Sequence, residues 1–141
     1  MFMNDLSIIV RHMRVFAERS LKDYGLGFPE QIVIMYLTKH GRSNQQKIAE
    51  SFGIDQGAIT KTINKLEAKG FVDRKVNPKN KREKILSLTP KATTLQNELN
   101  RTYQEWSSAI FKDIPQTQRK AFEETVHSMA NNSITLMNED N

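Results

Sequence analysis

Between residues 56 and 65 the chain strings together Gln56, Gly57, Ala58, Thr60, Lys61, Thr62, Asn64 and Lys65, broken only by Ile59 and Ile63. On a helical wheel Ile59, Ile63 and Leu66 fall together, while Gly57, Lys61, Asn64, Lys65 and Ala68 fall on the opposite side. One side is core; the other carries small, amide and cationic groups, which suit a helix laid against base edges and phosphates. Gln56 can pair with adenine in the major groove, Lys61 can reach guanine or a phosphate, and Ala58 can meet a thymine methyl. Thr60 completes the set expected to read bases, and Gly57 allows close approach. Thr62, Asn64 and Lys65 have the chemistry of phosphate contacts that fix register. So do Ser43, Gln45 and Gln46 at the start of the preceding helix, whose N-terminal amides favour an anion. The competing reading of Thr60, Thr62 and Asn64 is ordinary helix surface.

A basic hairpin follows at once. Phe71 to Val76 and Lys84 to Leu88 read as strands, joined by NPKNKR with its turn proline and two asparagines. Lys79, Lys81 and Arg82 crowd the tip: Arg82 is the residue expected in the minor groove, and Lys81 is a phosphate contact or the inserting residue itself. Arg74 either faces phosphate or pairs with Asp73 to brace the ribbon, and Glu67 is an intrahelical partner or solvated. Residues 43–84 hold ten basic and five acidic side chains, a surplus equal to the net +5 of the whole chain; residues 1–42 sum to +2 and residues 85–141 to −2. A cluster of this kind suits a polyanion, because each phosphate neutralised releases condensed counterions. An acidic protein is the competing partner, since Lys61, Lys65, Lys81 and Arg82 would serve it too, as a winged-helix protein-interaction module.

Other chemistries find no support. No Ser/His/Asp or Cys/His arrangement, phosphate-binding glycine loop or paired acid/base motif is present, so an enzyme is not expected. Cysteine is absent from the 141 residues, which removes disulfides, thiolate nucleophiles and Cys-based zinc sites together. His12, His40 and His127 are widely spaced, so neither a metal site nor any other cofactor is expected. The apolar run Leu6 to Val10 is too short for a signal-peptide core or a membrane span, which predicts a cytoplasmic protein with no membrane partner.

The elements that must position these groups are mostly helical. Leu6, Ile9, Val10, Met13, Phe16, Ala17 and Leu21 predict an amphipathic helix over 4–24. Pro29 opens a second, from 29 to about 39, in which Ile32, Ile34, Met35, Tyr36 and Leu37 leave most sides apolar and therefore buried. Ser43 begins a capping box, SNQQ, for a short third helix from Asn44 to about Phe52, with Ile48, Ala49 and Phe52 facing inward. Asp55 is the N-cap of the next helix, and Gly70 its stop. Two short helices joined at Gly53–Ile54 make a helix-turn-helix, and the hairpin after it makes the winged variant. Beyond Pro90, Leu95, Leu99, Thr102, Tyr103, Trp106 and Ile110 trace one apolar stripe, and Pro115 opens a last helix with Phe122, Val126, Met129 and Leu136 on another. That is more apolar surface than a winged helix covers, which predicts a homodimer; an intramolecular bundle is the alternative.

Three segments, ERSLKDYGLGFPEQIVIMYL, QQKIAESFGIDQGAITKTINKLEAKGFVDR and NPKNKREKILSLTPKA, give nearly the whole chain a resemblance to the multiple-antibiotic-resistance regulator (MarR) family of winged-helix transcription factors. The resemblance implies one MarR-like domain over 1–141, mainly α with a small β-wing: a DNA-binding winged helix-turn-helix over 29–89, and dimerisation helices in 1–28 and 90–141. It implies a homodimeric regulator, a repressor of a palindromic double-stranded operator, relieved by a small aromatic or phenolic effector held between the dimerisation helices and the winged helix. His12, Met13, Phe16, Met35 and Tyr36 are the residues expected to line that pocket, although they also lie at core spacing. The chain departs from the family at two places. Lys61 stands where an arginine is common, keeping the charge without the bidentate fork. Asn80, Lys81 and Arg82 stand where the wing tip commonly reads Asp-Arg-Arg, so the carboxylate of a tip ion pair is absent.

Overall fold

The computed structural model describes residues 1–140. Its elements run α1 (Phe2–Leu21), a 3-10 turn (Lys22–Tyr24), α2 (Phe28–His40), β1 (Ser43–Asn44), α3 (Gln45–Phe52), α4 (Gln56–Ala68), β2 (Val72–Asn77), β3 (Asn80–Leu88), α5 (Ala92–Ile110) and α6 (Gln116–Glu139). They fall into two compact units, Met1–Trp106 and the segment from Ser107 onward, with α5 passing from the first into the second.

The first unit holds the hydrophobic core. Leu21 of α1, Val33, Ile34 and Leu37 of α2, Ile48 of α3, Ile59, Ile63 and Leu66 of α4, Leu86 of β3, and Leu95 and Leu99 of α5 are all buried in one cluster. Each such side chain withdrawn from water contributes roughly 1.5–3 kcal/mol before entropy is counted. α2 is the central element, packed on α1, α4 and β3, as its near-continuous apolar sequence requires. It starts at Phe28, so Pro29 occupies its second position.

Two helix ends around α4 are closed in the same way. Gly53 lies in the left-handed region (φ 59°), and the amide of Ile54 reaches back to Ala49 O at 3.0 Å. Gly70 (φ 79°) repeats the arrangement, with the amide of Phe71 on Leu66 O at 3.0 Å. In both, glycine takes the conformation a Cβ would disfavour, and the next apolar residue turns back onto the core. At its other end α4 is capped as its sequence requires: Asp55 Oδ2 accepts from the amides of Gly57 at 2.9 Å and Ala58 at 3.3 Å.

Three local expectations are corrected. The capping box at Ser43 does not form. Ser43 and Asn44 instead pair with Leu86 and Ile85 of β3, giving a three-stranded antiparallel sheet of order β1-β3-β2. The cap of α3 is Asn44, whose Oδ1 accepts from Lys47 N at 2.8 Å. Phe52 is 40% exposed rather than inward, because the tight Gly53 turn puts Ile54 against the core in its place. The apolar stripe of α5 divides: Leu95, Leu99 and Thr102 are buried, whereas Tyr103 and Ile110 are exposed.

The hairpin also runs further than its apolar alternation suggested. The turn is only Pro78–Lys79, and Asn80, Lys81 and Arg82 belong to β3. The register slips there: Val76 faces Lys84 but Asn77 faces Asn80, which leaves Lys81, Arg82 and Glu83 as an irregular excess on β3. Such an excess bends and twists a ribbon locally.

The Asp55 cap gives a first prediction. Replacing Asp55 with Ala should cost about 1 kcal/mol of stability in urea unfolding, and Asp55→Asn should recover most of it; equal stability of Asp55→Ala and wild type would remove the cap from the account of α4.

Candidate nucleic-acid interface

Helix α4 presents one face outward because the other is fully used. Ile59, Ile63 and Leu66 are 3%, 0% and 0% exposed, and Gln56, Gly57, Ala58, Lys61 and Asn64 consequently lie in solvent. Lys79, Lys81 and Arg82 on the wing are likewise exposed. Among the described residues, Lys61, Lys79, Lys81 and Arg82 have no ion-pair partner. Their charge is therefore available to a polyanion.

Other expected site residues are engaged within the protein. Gln45 donates through Nε2 to Gln56 O at 3.1 Å and to the Thr60 hydroxyl, which itself donates to Gln56 O at 2.9 Å. Gln45 and Thr60 thus tie α3 to the first turn of α4. Gln46 is exposed, with its amide on Glu50 at 2.8 Å. Arg74 does not pair with Asp73, which meets Lys75 at 3.6 Å. It reaches back to α4 instead, with Nη2 donating to Asn64 Oδ1 at 2.5 Å and Nε lying 3.3 Å from Glu67 Oε2. Glu67 is therefore a partner of the wing rather than of its own helix. Two expected phosphate contacts prove buried. Ser43 (7% exposed) sits in β1 opposite Leu86, and Thr62 (8%) donates its hydroxyl to Ala58 O at 3.1 Å.

Lys65 is held by a buried acid. Glu30 Oε1 lies 3.2 Å from Lys65 Nζ, and Glu30 Oε2 accepts from the amide of Gly27 at 2.9 Å, which organises the start of α2. Burial is the strongest single influence on Glu30 and pushes its carboxyl upward. Hydrogen bonds from the amides of Gly27 and of Glu30 itself, with the Lys65 ammonium, together outweigh it and leave the group below the ordinary carboxylate range. The pair joins the N-terminus of α2 to the last turn of α4.

Between the first turns of α3 and α4 and the wing lies a polar groove of about 500 Å³, lined by Gln45, Gln46, Gln56 and Arg82 together with Asn44, Asn80, Glu83 and Lys84. Asn44 and Glu83 are the residues that sequence reasoning missed. Glu83 Oε1 accepts from Asn44 Nδ2 and Oε2 from Asn77 Nδ2 at 2.7 Å. These two amides, Asn44 first, hold the Glu83 carboxyl below the ordinary carboxylate range. The carboxylate absent from position 80 is thus replaced at 83, bonded to amides instead of an arginine. Nothing local in the sequence signals it, since one partner is 39 residues away.

The expected effector-pocket residues are dispersed in burial. Met35 and Tyr36 pack against the core, and the Tyr36 ring stacks on His40 (centroids 4.4 Å apart) and meets Phe52 edge-on at 6.1 Å. Met13 and Phe16 are half-buried and His12 is exposed. No group of three His, Asp or Glu side chains among the described residues is arranged to hold a metal, and no described helix is long and apolar enough to cross a membrane.

This arrangement of helix-turn-helix and wing has relatives. The family model described as "MarR family" matches residues 29–84. The HTH-type transcriptional regulator SarZ of Staphylococcus epidermidis is 31% identical over 100 residues, 71% of this chain and 65% of SarZ. The crystal structure of MarR superposes with a TM-score of 0.82 at 27% identity, covering 99% of this chain and 95% of that one. The chain belongs to the MarR family. A further relative, the HTH-type transcriptional regulator BilQ of Clostridioides difficile, is 23% identical over 83% of this chain and 79% of its own length. As a MarR-family protein the chain is a DNA-binding transcriptional regulator and not an enzyme.

The Glu30–Lys65 pair makes stability depend on pH. A folded-state pKa below the ordinary glutamate value of about 4.3 stabilises fully above that value, and the contribution is lost as pH falls through the lowered one. The difference in urea midpoint between wild type and Glu30→Gln should therefore be largest at neutral pH and shrink on acidification through pH ~4. A difference constant from pH 7 to 3 would show that the charge of Glu30 contributes nothing.

Proposed function

We propose that this MarR-family chain is a cytoplasmic homodimeric repressor that reads a palindromic operator and leaves it on binding a small aromatic or phenolic effector. The observation that carries the reading is the joint exposure of Gln56, Ala58 and Lys61 on α4 and of Lys79, Lys81 and Arg82 on the wing, with the four cations free of ion pairs among the described residues. In this reading Gln56, Ala58 and Lys61 contact bases from the major groove. Lys81 and Arg82 track the neighbouring phosphates or minor groove, and Gln46 and Asn64 contact the backbone. Gln45, Thr60, Lys65 and Arg74 set the frame without touching DNA.

Dimerisation is supported by surface that the chain leaves uncovered. α6 has no buried residue, and Phe122, Met129 and Leu136 on it are 47%, 42% and 59% exposed. On α1, Ile9 and Val10 are 38% and 48% exposed. A 24-residue helix with an apolar stripe and no buried face gains its stability from a partner. A second copy supplies one, and sets two reading helices on half-sites about one turn, or ~10 bp, apart. Two structures of the same fold support the ligand classes: a Listeria monocytogenes MarR-family regulator solved with a 26mer DNA (20% identity, TM-score 0.88) and CouR of Rhodococcus jostii solved with p-coumaroyl-CoA (23%, 0.79).

Selection of bound duplexes from a random pool, repeated with a panel of aromatic acids, tests the reading as a whole. It should enrich an inverted repeat whose retention falls with at least one acid, and enrichment of no sequence would sink the operator. Lys81→Ala should reduce the slope of log K against log salt by ~1; an unchanged slope would take Lys81 out of the DNA contact. Light scattering at micromolar concentration should give twice the 16.3 kDa chain mass, and a monomer would overturn the dimer.

A further inference from the structure

Of the three excess residues on β3, Lys81 and Arg82 are exposed while Glu83 is drawn inward. Glu83 is the centre of a relay with a single polarity. Each carboxylate oxygen is taken by one amide NH2, from Asn44 and from Asn77. Each amide oxygen is taken in turn by a backbone N–H, Asn44 Oδ1 by Lys47 at 2.8 Å and Asn77 Oδ1 by Lys79 at 3.0 Å. Neither asparagine can flip without forfeiting its backbone donor, so the relay demands an acceptor at both oxygens of residue 83. Its two ends are the first turn of α3 and the turn of the wing. Pulling Glu83 inward also leaves its neighbours Lys81 and Arg82 as the outward residues of the bulge.

The carboxylate lies in the groove flanked by Arg82 and Lys84. For affinity alone a negative charge there is a liability, because it repels every duplex equally. A wing free to swing would find phosphates on any duplex, whereas a fixed wing reaches them only where groove geometry matches its distance from α4. We propose that Glu83 is a specificity-determining positioning residue: it ties the wing to α3 so that Lys81 and Arg82 stand at a set distance from α4. This role rests on the reading of a sequence-specific operator given above.

The test exchanges donor and acceptor along the relay. Glu83→Gln keeps the shape but offers one oxygen and one NH2, so one asparagine meets a donor and its link is lost, along with one negative charge. Asn44→Asp combined with Glu83→Gln rebuilds the link in the opposite sense: Asp at 44 accepts from Lys47 N and from the new amide at 83, and the net charge returns to that of wild type. Dissociation constants are measured by fluorescence anisotropy at one salt concentration, on a duplex from the selection and on its scrambled counterpart, with thermal melts alongside. The ratio of the two constants should fall about tenfold in Glu83→Gln, the size expected for one hydrogen bond to a charged group. The exchange variant should recover it to within about twofold. A ratio unchanged in Glu83→Gln, or lost equally in the exchange variant, would overturn the role of Glu83. Should Glu83→Gln fail to fold, Asn77→Ala, which removes the link at the other carboxylate oxygen without changing the charge, takes its place and should lower the ratio likewise. A wild-type chain with no preference between the duplexes would instead overturn the operator reading, and this role with it.

Discussion

The burial of Ile59, Ile63 and Leu66 fixes the rotation of α4 about its own axis, and the rest of the interface follows from that rotation. Three positions on one side of a helix, each at or below 3% exposure, leave no alternative face to bury. Gln56, Ala58 and Lys61 need no support of their own to point outward. The remaining polar contacts then fix what rotation cannot: Asp55 holds the start of the helix, Lys65 ties its last turn to Glu30 on α2, and Asn64 and Glu67 receive Arg74 from the wing.

Charge is accordingly used in two ways within one basic segment. Lys65 and Arg74 spend theirs internally, each in a pair with one shielded member, Glu30 in the first and Arg74 itself in the second, where an ion pair is screened less than at an open surface. Lys61, Lys79, Lys81 and Arg82 keep theirs unpaired among the described residues. A net charge summed over residues 43–84 treats these groups as equal, yet only the second set raises the potential felt by a phosphate. The two acids that matter, Glu30 and Glu83, are both held below the ordinary carboxylate range by hydrogen-bond donors and therefore remain acceptors across the physiological range.

Much of this was legible in the sequence, because the signals were local. The spacing of Ile59, Ile63 and Leu66, the cap at Asp55 and the stop at Gly70 each act within one or two helical turns, and the structure has all three. What was not legible depends on residues far apart. β1 is two residues long, too short for alternation to register, and its pairing with β3 moved the cap of α3 from Ser43 to Asn44. The partners of Lys65 and Glu83 lie on other elements, so nothing local marks either residue as bonded within the protein. Phe52 was misplaced by periodicity alone, since the left-handed turn at Gly53 handed its inward position to Ile54.

The helix ends at Gly53–Ile54 and Gly70–Phe71 bear on how this segment tolerates change in length. Each end is defined by a glycine and an apolar residue after it, the partly buried Ile54 or the buried Phe71, so α4 is clamped at both ends by side chains packed on the core. One residue inserted between Asp55 and Gly70 would turn everything beyond it by about 100° around the helix axis, given 3.6 residues per turn. Phe71 would leave the core, and the wing would swing away from the face that carries Lys61. Substitution can alter what this unit reads, but insertion or deletion between those glycines separates the helix from its wing. The count of residues from 53 to 70 is thus a mechanical dimension of the reader, as fixed as the spacing of the grooves it is built to meet.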